Sequence, residues 1–170
     1  MKILGIDPGT NIIGYGIVEK NKNSISPVSF SSIIIGQNFT LSKKLEIIFD
    51  GISSIISKFV PDEIAIEELF FSKNIKTAIS VSHARGVIML AAEKSNIPIF
   101  EYKPNEIKQA ITGYGKAEKI QIQNMVRNIL HLEEIPKPDD TADALAIALC
   151  HINKQKWNNL LKNYEKKHSN

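Results

Sequence analysis

The stretch Lys2–Gly16, KILGIDPGTNIIGYG, decides the fold and carries the first candidate functional residue. Two runs rich in β-branched residues flank Asp7-Pro8-Gly9-Thr10, whose composition suits a tight turn, so the stretch reads as a β-hairpin. Asp7 then closes a buried strand. An acid in that place, beside a turn that lets another molecule's backbone come close, is a candidate seat for a metal ion. The other carboxylates of such a site must come from further along the chain.

Outward from the hairpin, a third strand over Ser26–Gly36 containing SFSSIII completes an antiparallel meander. From Leu41 to Phe59 the residues Leu41, Leu45, Ile48, Phe49, Ile52, Ile55, Ile56 and Phe59 recur at helical spacing, which predicts an amphipathic helix stopped by Val60-Pro61-Asp62. A strand EIAIE (Glu63–Glu67) follows, then a helix from Lys73 to Lys94, a strand from Ile97 to Tyr102, and helices over Asn105–Ile111, Ala117–Leu130 and Thr141–Ile152. Strands that cross over through helices pair in parallel with a right-handed connection. The fold class is therefore α/β, a mixed five-stranded sheet of antiparallel meander plus parallel strands, flanked by helices. Gly86 would weaken an isolated helix, and a close helix crossing or a subunit contact would account for it.

The 170 residues, 43% hydrophobic and 23% charged, describe one ordinary globular domain. We read residues 1–153 as that domain and 154–170 as a tail poor in core residues, expected to be loose. A net charge of +3 permits a polyanionic partner without demanding one. The single Cys150 rules out an internal disulfide and a cysteine-based zinc site. With no apolar run near the length of a membrane span and no export signal, a cytoplasmic location and no membrane partner are expected.

Strands one and four, as parallel neighbours, end on the same sheet edge, where open α/β sheets place ligands. Asp7 and Glu67 thus come close. A third source is PDDTADALAIALC, where Asp140 and Asp143 share one face at the start of a helix that is apolar nearly all round and hence buried. Each residue has a simpler reading: Asp7 as a turn residue, Glu67 as a solvated strand end beside Glu68, Asp140 as a helix N-cap. The combination argues for more, because converging carboxylates repel one another unless a cation joins them. Oxygen donors of this kind suit Mg2+, with Mn2+ as a substitute.

GIDPGTNIIGYG, AIEELFFSKN, HARG, ITGYGKAEKIQIQNMV and DDTADALAIALCH resemble, in order and spacing, the successive motifs of the RuvC family of Holliday junction resolvases, crossover junction endodeoxyribonucleases. The resemblance covers Lys2 to Ile152. It implies an RNase H-like fold, a homodimer, and Mg2+-dependent nicking of two opposing strands of a four-way DNA junction in recombination and repair, leaving 5'-phosphate and 3'-hydroxyl ends. It puts the catalytic and metal-binding carboxylates at Asp7, Glu67, Asp140 and Asp143 and selects Glu67 over Glu68; some members carry histidine where this chain has Asp140. Two cations about 4 Å apart would activate water and stabilise the leaving oxygen. No cofactor beyond metal is implied. A branch-migration motor complex is an implied partner.

Between Lys103 and Arg127 the basic residues Lys103, Lys108, Lys116, Lys119 and Arg127 outnumber Glu106 and Glu118. Such a cluster is usually a solvated face, but beside a phosphodiester site it can hold backbone phosphates. We assign Lys108, Lys116 and Lys119 to DNA, Lys108 and Lys119 on the resemblance. Phe70 stands where the family stacks an aromatic on junction bases; Phe71 is expected in the core. Gly9, Gly14 and Gly16 are expected to keep space clear for metal and DNA backbone. His151 is left unassigned, and Cys150 is read as a small buried apolar residue.

Two rivals are weighed. An actin-like or sugar-kinase-like phosphotransferase also uses an Asp-x-Gly-Thr turn, but needs a second similar domain and an adenosine motif that the sequence lacks. A protein that holds branched DNA without cutting it would not need all four carboxylates.

Overall fold

The computed structural model describes residues 1–22, 24–69 and 75–168, with the side chains of 75–77 and 156–168 left aside. Three strands come first, β1 (Lys2–Asp7), β2 (Ile12–Lys20) and β3 (Ile25–Ile34), followed by α1 (Leu41–Phe59) and β4 (Glu63–Glu67). Then come α2 (Ile75–Lys94), β5 (Ile99–Tyr102), α3 (Pro104–Thr112), α4 (Lys119–Ile129) and α5 (Asp139–His168). The strands form one sheet in the order β3-β2-β1-β4-β5. β1 is antiparallel to β2 and parallel to β4, and β5 extends the parallel half. The mixed sheet expected from the order of elements is the one observed.

Alternation along the strands sends their residues to two separate cores. Leu4, Ile6, Ile64 and Ile66 meet the buried faces of α1 and α2, supplied by Ile48, Ile52, Ile56, Ala84 and Ile88. Ile3 and Ala65 point the other way, into a core with Leu145, Ile147, Ala148 and Leu149 of α5 and Ile107, Ile122 and Val126 of α3 and α4. Asp7 and Glu67 continue the rows of Ile3 and Ala65, so they emerge on the α5 face.

α1 forms where its apolar period predicts. Thr40 caps it by accepting from the Lys43 amide at 3.4 Å, and Val60, in the left-handed region at φ 48°, closes it by donating its backbone N–H to Ile56 O. Helix α5 differs from expectation: it starts at Asp139 and its backbone stays helical to His168 rather than ending near Ile152. Asp140 is therefore inside the first turn, not the N-cap, and Asp139 and Asp140 both lie where the helix dipole favours acids.

The glycines of the opening hairpin have a different task from the one expected. A Cβ on Gly5 would stand 2.1 Å from Ala144 O, one on Gly14 1.9 Å from Asp140 O, and one on Gly16 2.7 Å from the Leu145 side chain. Gly14 and Gly16 thus let α5 lie directly on the sheet, instead of clearing room for metal or DNA. Gly9 is crowded by Ile12 O of its own turn. Gly86 has nothing within 4 Å of its added Cβ, so no close crossing among the described residues explains it.

Candidate active site

The close seating of α5 builds the site. Asp7 pairs with Gly14 across the β1–β2 ladder, and the backbone of Asp140 rests on Gly14. The start of α5 is thereby fixed over the end of β1. One turn on, Asp143 reaches the cavity that Asp7 and Glu67 line, about 220 Å³ in volume, with Lys108 of α3 and Lys119 of α4 on its rim and Ile107, Ile122 and Ile147 as apolar wall.

The carboxylates oppose one another's ionisation. Burial first, then the charges of Asp143, Glu67 and Asp140, push the Asp7 carboxyl up to about 8, with Lys119 pulling the other way. Glu67 is also raised, by burial and by Asp143, with Lys108 opposing. Asp143 is raised by burial even though Lys119 holds it and works against the shift. The Lys119 ammonium lies 3.0 Å from Asp143 Oδ2 and 3.3 Å from Asp139 Oδ2. A wall of acids with displaced pKa values in a cleft is the arrangement found at chemical sites.

The donor set fits a hard divalent cation: the oxygens of three converging carboxylates, whose mutual repulsion a cation would relieve. Among the described residues, no three acidic, histidine or cysteine side chains close around a single point. The acids ring the cavity rather than forming a finished cage.

The sequence-derived residues separate into groups. Asp7, Glu67, Asp143, Lys108 and Lys119 converge. Asp140 does not line the cavity but adds its charge to Asp7. Lys116 is exposed between α3 and α4 and lies outside the lining. Phe70 and Phe71 fall outside the described residues. Asp139, which shares Lys119 with Asp143, was passed over in the sequence; in the Asp-Asp pair nothing marks which acid meets a lysine. Cys150 is buried as expected, and burial pushes its thiol up to about 12.

Residues 3–151 match the family model "Crossover junction endodeoxyribonuclease RuvC". The chain belongs to the RuvC family. Among RuvC relatives, that of Ruminiclostridium cellulolyticum is 52% identical over 163 residues, covering 96% of this chain and 98% of the relative. The Clostridioides difficile protein is 46% identical over 163 residues, 96% of each chain. Among solved structures, Thermus thermophilus RuvC superposes with a TM-score of 0.85 at 32% identity, covering 93% of this chain and 97% of that one. The same RuvC in complex with a Holliday junction substrate gives a TM-score of 0.85 at 30% identity, covering 92% and 96%. The fold is RNase H-like, and the family is one of divalent-metal-dependent nucleases.

Proposed function

We propose that this RuvC-family nuclease resolves four-way DNA junctions by nicking two opposing strands, with Asp7, Glu67, Asp140 and Asp143 as its acidic machinery. The observation that carries this reading is the cavity where Asp7, Glu67 and Asp143, from three separate elements, meet under a rim of Lys108 and Lys119. The Thermus thermophilus relative bound to a Holliday junction supports the choice of substrate.

Asp7, Glu67 and Asp143 would hold the metal, with Asp140 adding negative charge from behind. Mg2+, two per site with Mn2+ able to replace it, would supply the charge that activates water and stabilises the leaving 3'-oxygen in an in-line displacement. Lys108 and Lys119, beside Glu67 and Asp143, would orient the scissile phosphate. Lys119 gives up part of its contact with Asp143 as phosphate and cation arrive. Lys116, exposed on the turn, serves DNA further from the cut by charge, and Phe70 serves it by stacking. The products keep 5'-phosphate and 3'-hydroxyl ends.

Two symmetric nicks call for two sites related by a two-fold axis, hence a homodimer. The exposed face of α2 suits that contact. Gly86, Met89 and Leu90 border an apolar groove with Ile97 and Ile99, and Leu90 is 53% exposed. A branch-migration motor would be a further partner and the cytoplasm the working compartment. Among the described residues, no helix is long and apolar enough to cross a membrane.

The test uses a mobile four-way junction and a matched duplex, with and without Mg2+. Paired, ligatable nicks in the junction alone are expected. Equal cutting of duplex would indicate a general nuclease of this fold, and ATP hydrolysis without DNA would favour a phosphotransferase.

A further inference from the structure

His151 is a buried ionisable group that the proposed chemistry does not use. Its ring is 0% exposed, between α5 and the sheet. Nε2 lies 2.5 Å from Glu63 Oε2 and Nδ1 lies 2.6 Å from the Tyr102 hydroxyl. Phe100 packs on the ring at 4.7 Å between centroids. Gln155, one turn further along α5, donates to the same Glu63 oxygen.

The directions of these bonds follow from chemistry. A carboxylate only accepts, so Nε2 carries the proton toward Glu63; in the neutral imidazole Nδ1 then accepts from the Tyr102 hydroxyl. Burial, then nearby Cys150, Glu63 and Glu106, raise the Tyr102 pKa and keep its proton in place to donate. Tyr102, His151 and Glu63 form one chain of bonds joining β5, α5 and β4.

Its position relates it to the cavity. Asp143, Ile147 and His151 are spaced four apart and occupy one stripe of α5, and Ile147 is itself part of the cavity wall. On α5 the eight residue steps from Asp143 to His151 rise about 12 Å. On β4 the four residue steps from Glu63 to Glu67 rise about 13 Å. The two elements run in opposite directions, with Asp143 acting on Glu67 at one end and His151 bonded to Glu63 at the other. They are the long sides of a frame. Its cavity end holds like charges that push apart; the apolar core and the glycine seats hold α5 on the sheet, and the far end adds the directional hydrogen bonds that set its position along β4.

We infer that His151 is a positioning residue, which through Glu63 and Tyr102 sets how α5 lies on β4 and so fixes the spacing of Asp143 and Glu67 for metal. This rests on the proposed carboxylate site. Loss of the far bonds lets the acids separate, so metal binding suffers first and junction binding, which uses the rim lysines, is spared.

The test compares His151→Phe, which keeps the ring and loses both bonds, with Glu63→Gln, whose amide oxygen still accepts from Nε2. Mn2+ binding to the dimer is read by electron paramagnetic resonance, and junction cleavage is read across a Mg2+ series. For His151→Phe we expect a 5- to 20-fold weaker Mn2+ midpoint and a matching rise in the Mg2+ midpoint, with cleavage recovering at saturating metal and junction affinity in EDTA unchanged. Glu63→Gln should stay within about threefold of wild type. Nitrogen NMR of wild type should show His151 protonated at Nε2. An unshifted metal midpoint in His151→Phe, with or without a lower melting temperature, overturns the inference. Asp143→Asn is the control for the underlying site: if it cleaves at the wild-type rate, site and inference fall together, whereas an inactive Asp143→Asn beside an unshifted His151→Phe removes the inference alone.

Discussion

Gly14 carries the backbone of Asp140 on its open face: a Cβ there would meet the Asp140 carbonyl oxygen at 1.9 Å and its carbon at 2.3 Å. Both contacts are to backbone, so no side chain can swing aside. Since Gly14 pairs with Asp7, any shift of α5 away from it also moves Asp143 away from Asp7. Gly14→Ala should cost about 1–3 kcal/mol by overpacking and lose at least tenfold in cleavage. Thermal melts and single-turnover cleavage check it; full activity would mean that the seat of α5 does not set the site.

Asp7 makes stability depend on pH in a direction that can be worked out. Its carboxyl ionises near 8 when folded, against 3.8 as a free side chain. The folded state therefore binds more protons than the unfolded one between those values, so metal-free stability falls as pH rises from about 4 to about 8 and then levels off. Asp7→Asn removes this loss. In EDTA at pH 8 the variant should be more stable than wild type by about 1–3 kcal/mol, with no difference below pH 4. Added Mg2+ should raise the melting temperature of wild type and leave Asp7→Asn nearly unmoved. A variant less stable than wild type at pH 8 would contradict the burial of an uncompensated charge.

The same residue should separate binding from cutting. Asp7→Asn keeps the rim lysines and so should bind a junction with wild-type affinity while its Mg2+-dependent cleavage disappears. Full cleavage by this variant would remove Asp7 from the metal site.

What could be read from the sequence was what depends on local pattern and on chain order. The apolar period of Leu41–Phe59 and the run EIAIE fixed α1 and β4, and the helical crossover before β4 put Asp7 beside Glu67. What could not be read depends on which surfaces meet. Gly14 and Gly16 look like ligand-clearing glycines until α5 is seen on them. His151 finds Tyr102 and Glu63 at separations of 49 and 88 residues, and no periodicity signals such a meeting. α5 runs on to His168, past the Ile152 boundary that core content suggests; its continuation carries Trp157, Leu160, Leu161 and Tyr164 at helical spacing, a signal set among polar residues and easily missed.

Lys119 is tied to Asp143 and Asp139 without DNA and is expected to turn toward phosphate when DNA binds. Lys119→Ala should weaken junction binding several-fold at low salt and reduce the slope of log affinity against log salt by about 0.9. Lys116→Ala should change the slope by no more, and leave the cleavage rate of bound junction intact, because Lys116 is outside the cavity. Junction affinity measured from 50 to 200 mM salt checks both; an unchanged slope for Lys119→Ala would take it out of the DNA contacts.

Gly86 and Leu90 distinguish the stability of the chain from the stability of a dimer. A methyl on Gly86 meets nothing within 4 Å, and alanine is a better helix former than glycine by about 0.8–1 kcal/mol. Gly86→Ala should therefore stabilise the isolated chain, raising its melting temperature at nanomolar concentration. If the α2 face is the subunit contact, the same methyl keeps a partner helix at a greater distance, and dimer affinity should fall. Leu90, 53% exposed, gives the stronger case: Leu90→Asp removes little core but puts a charge on the border of the apolar groove. It should dissociate the dimer by at least 100-fold, seen by sedimentation at micromolar concentration, and convert paired nicks into single unpaired ones. A dimer that survives both substitutions would move the two-fold contact off α2, with the cavity at Asp7 unaffected.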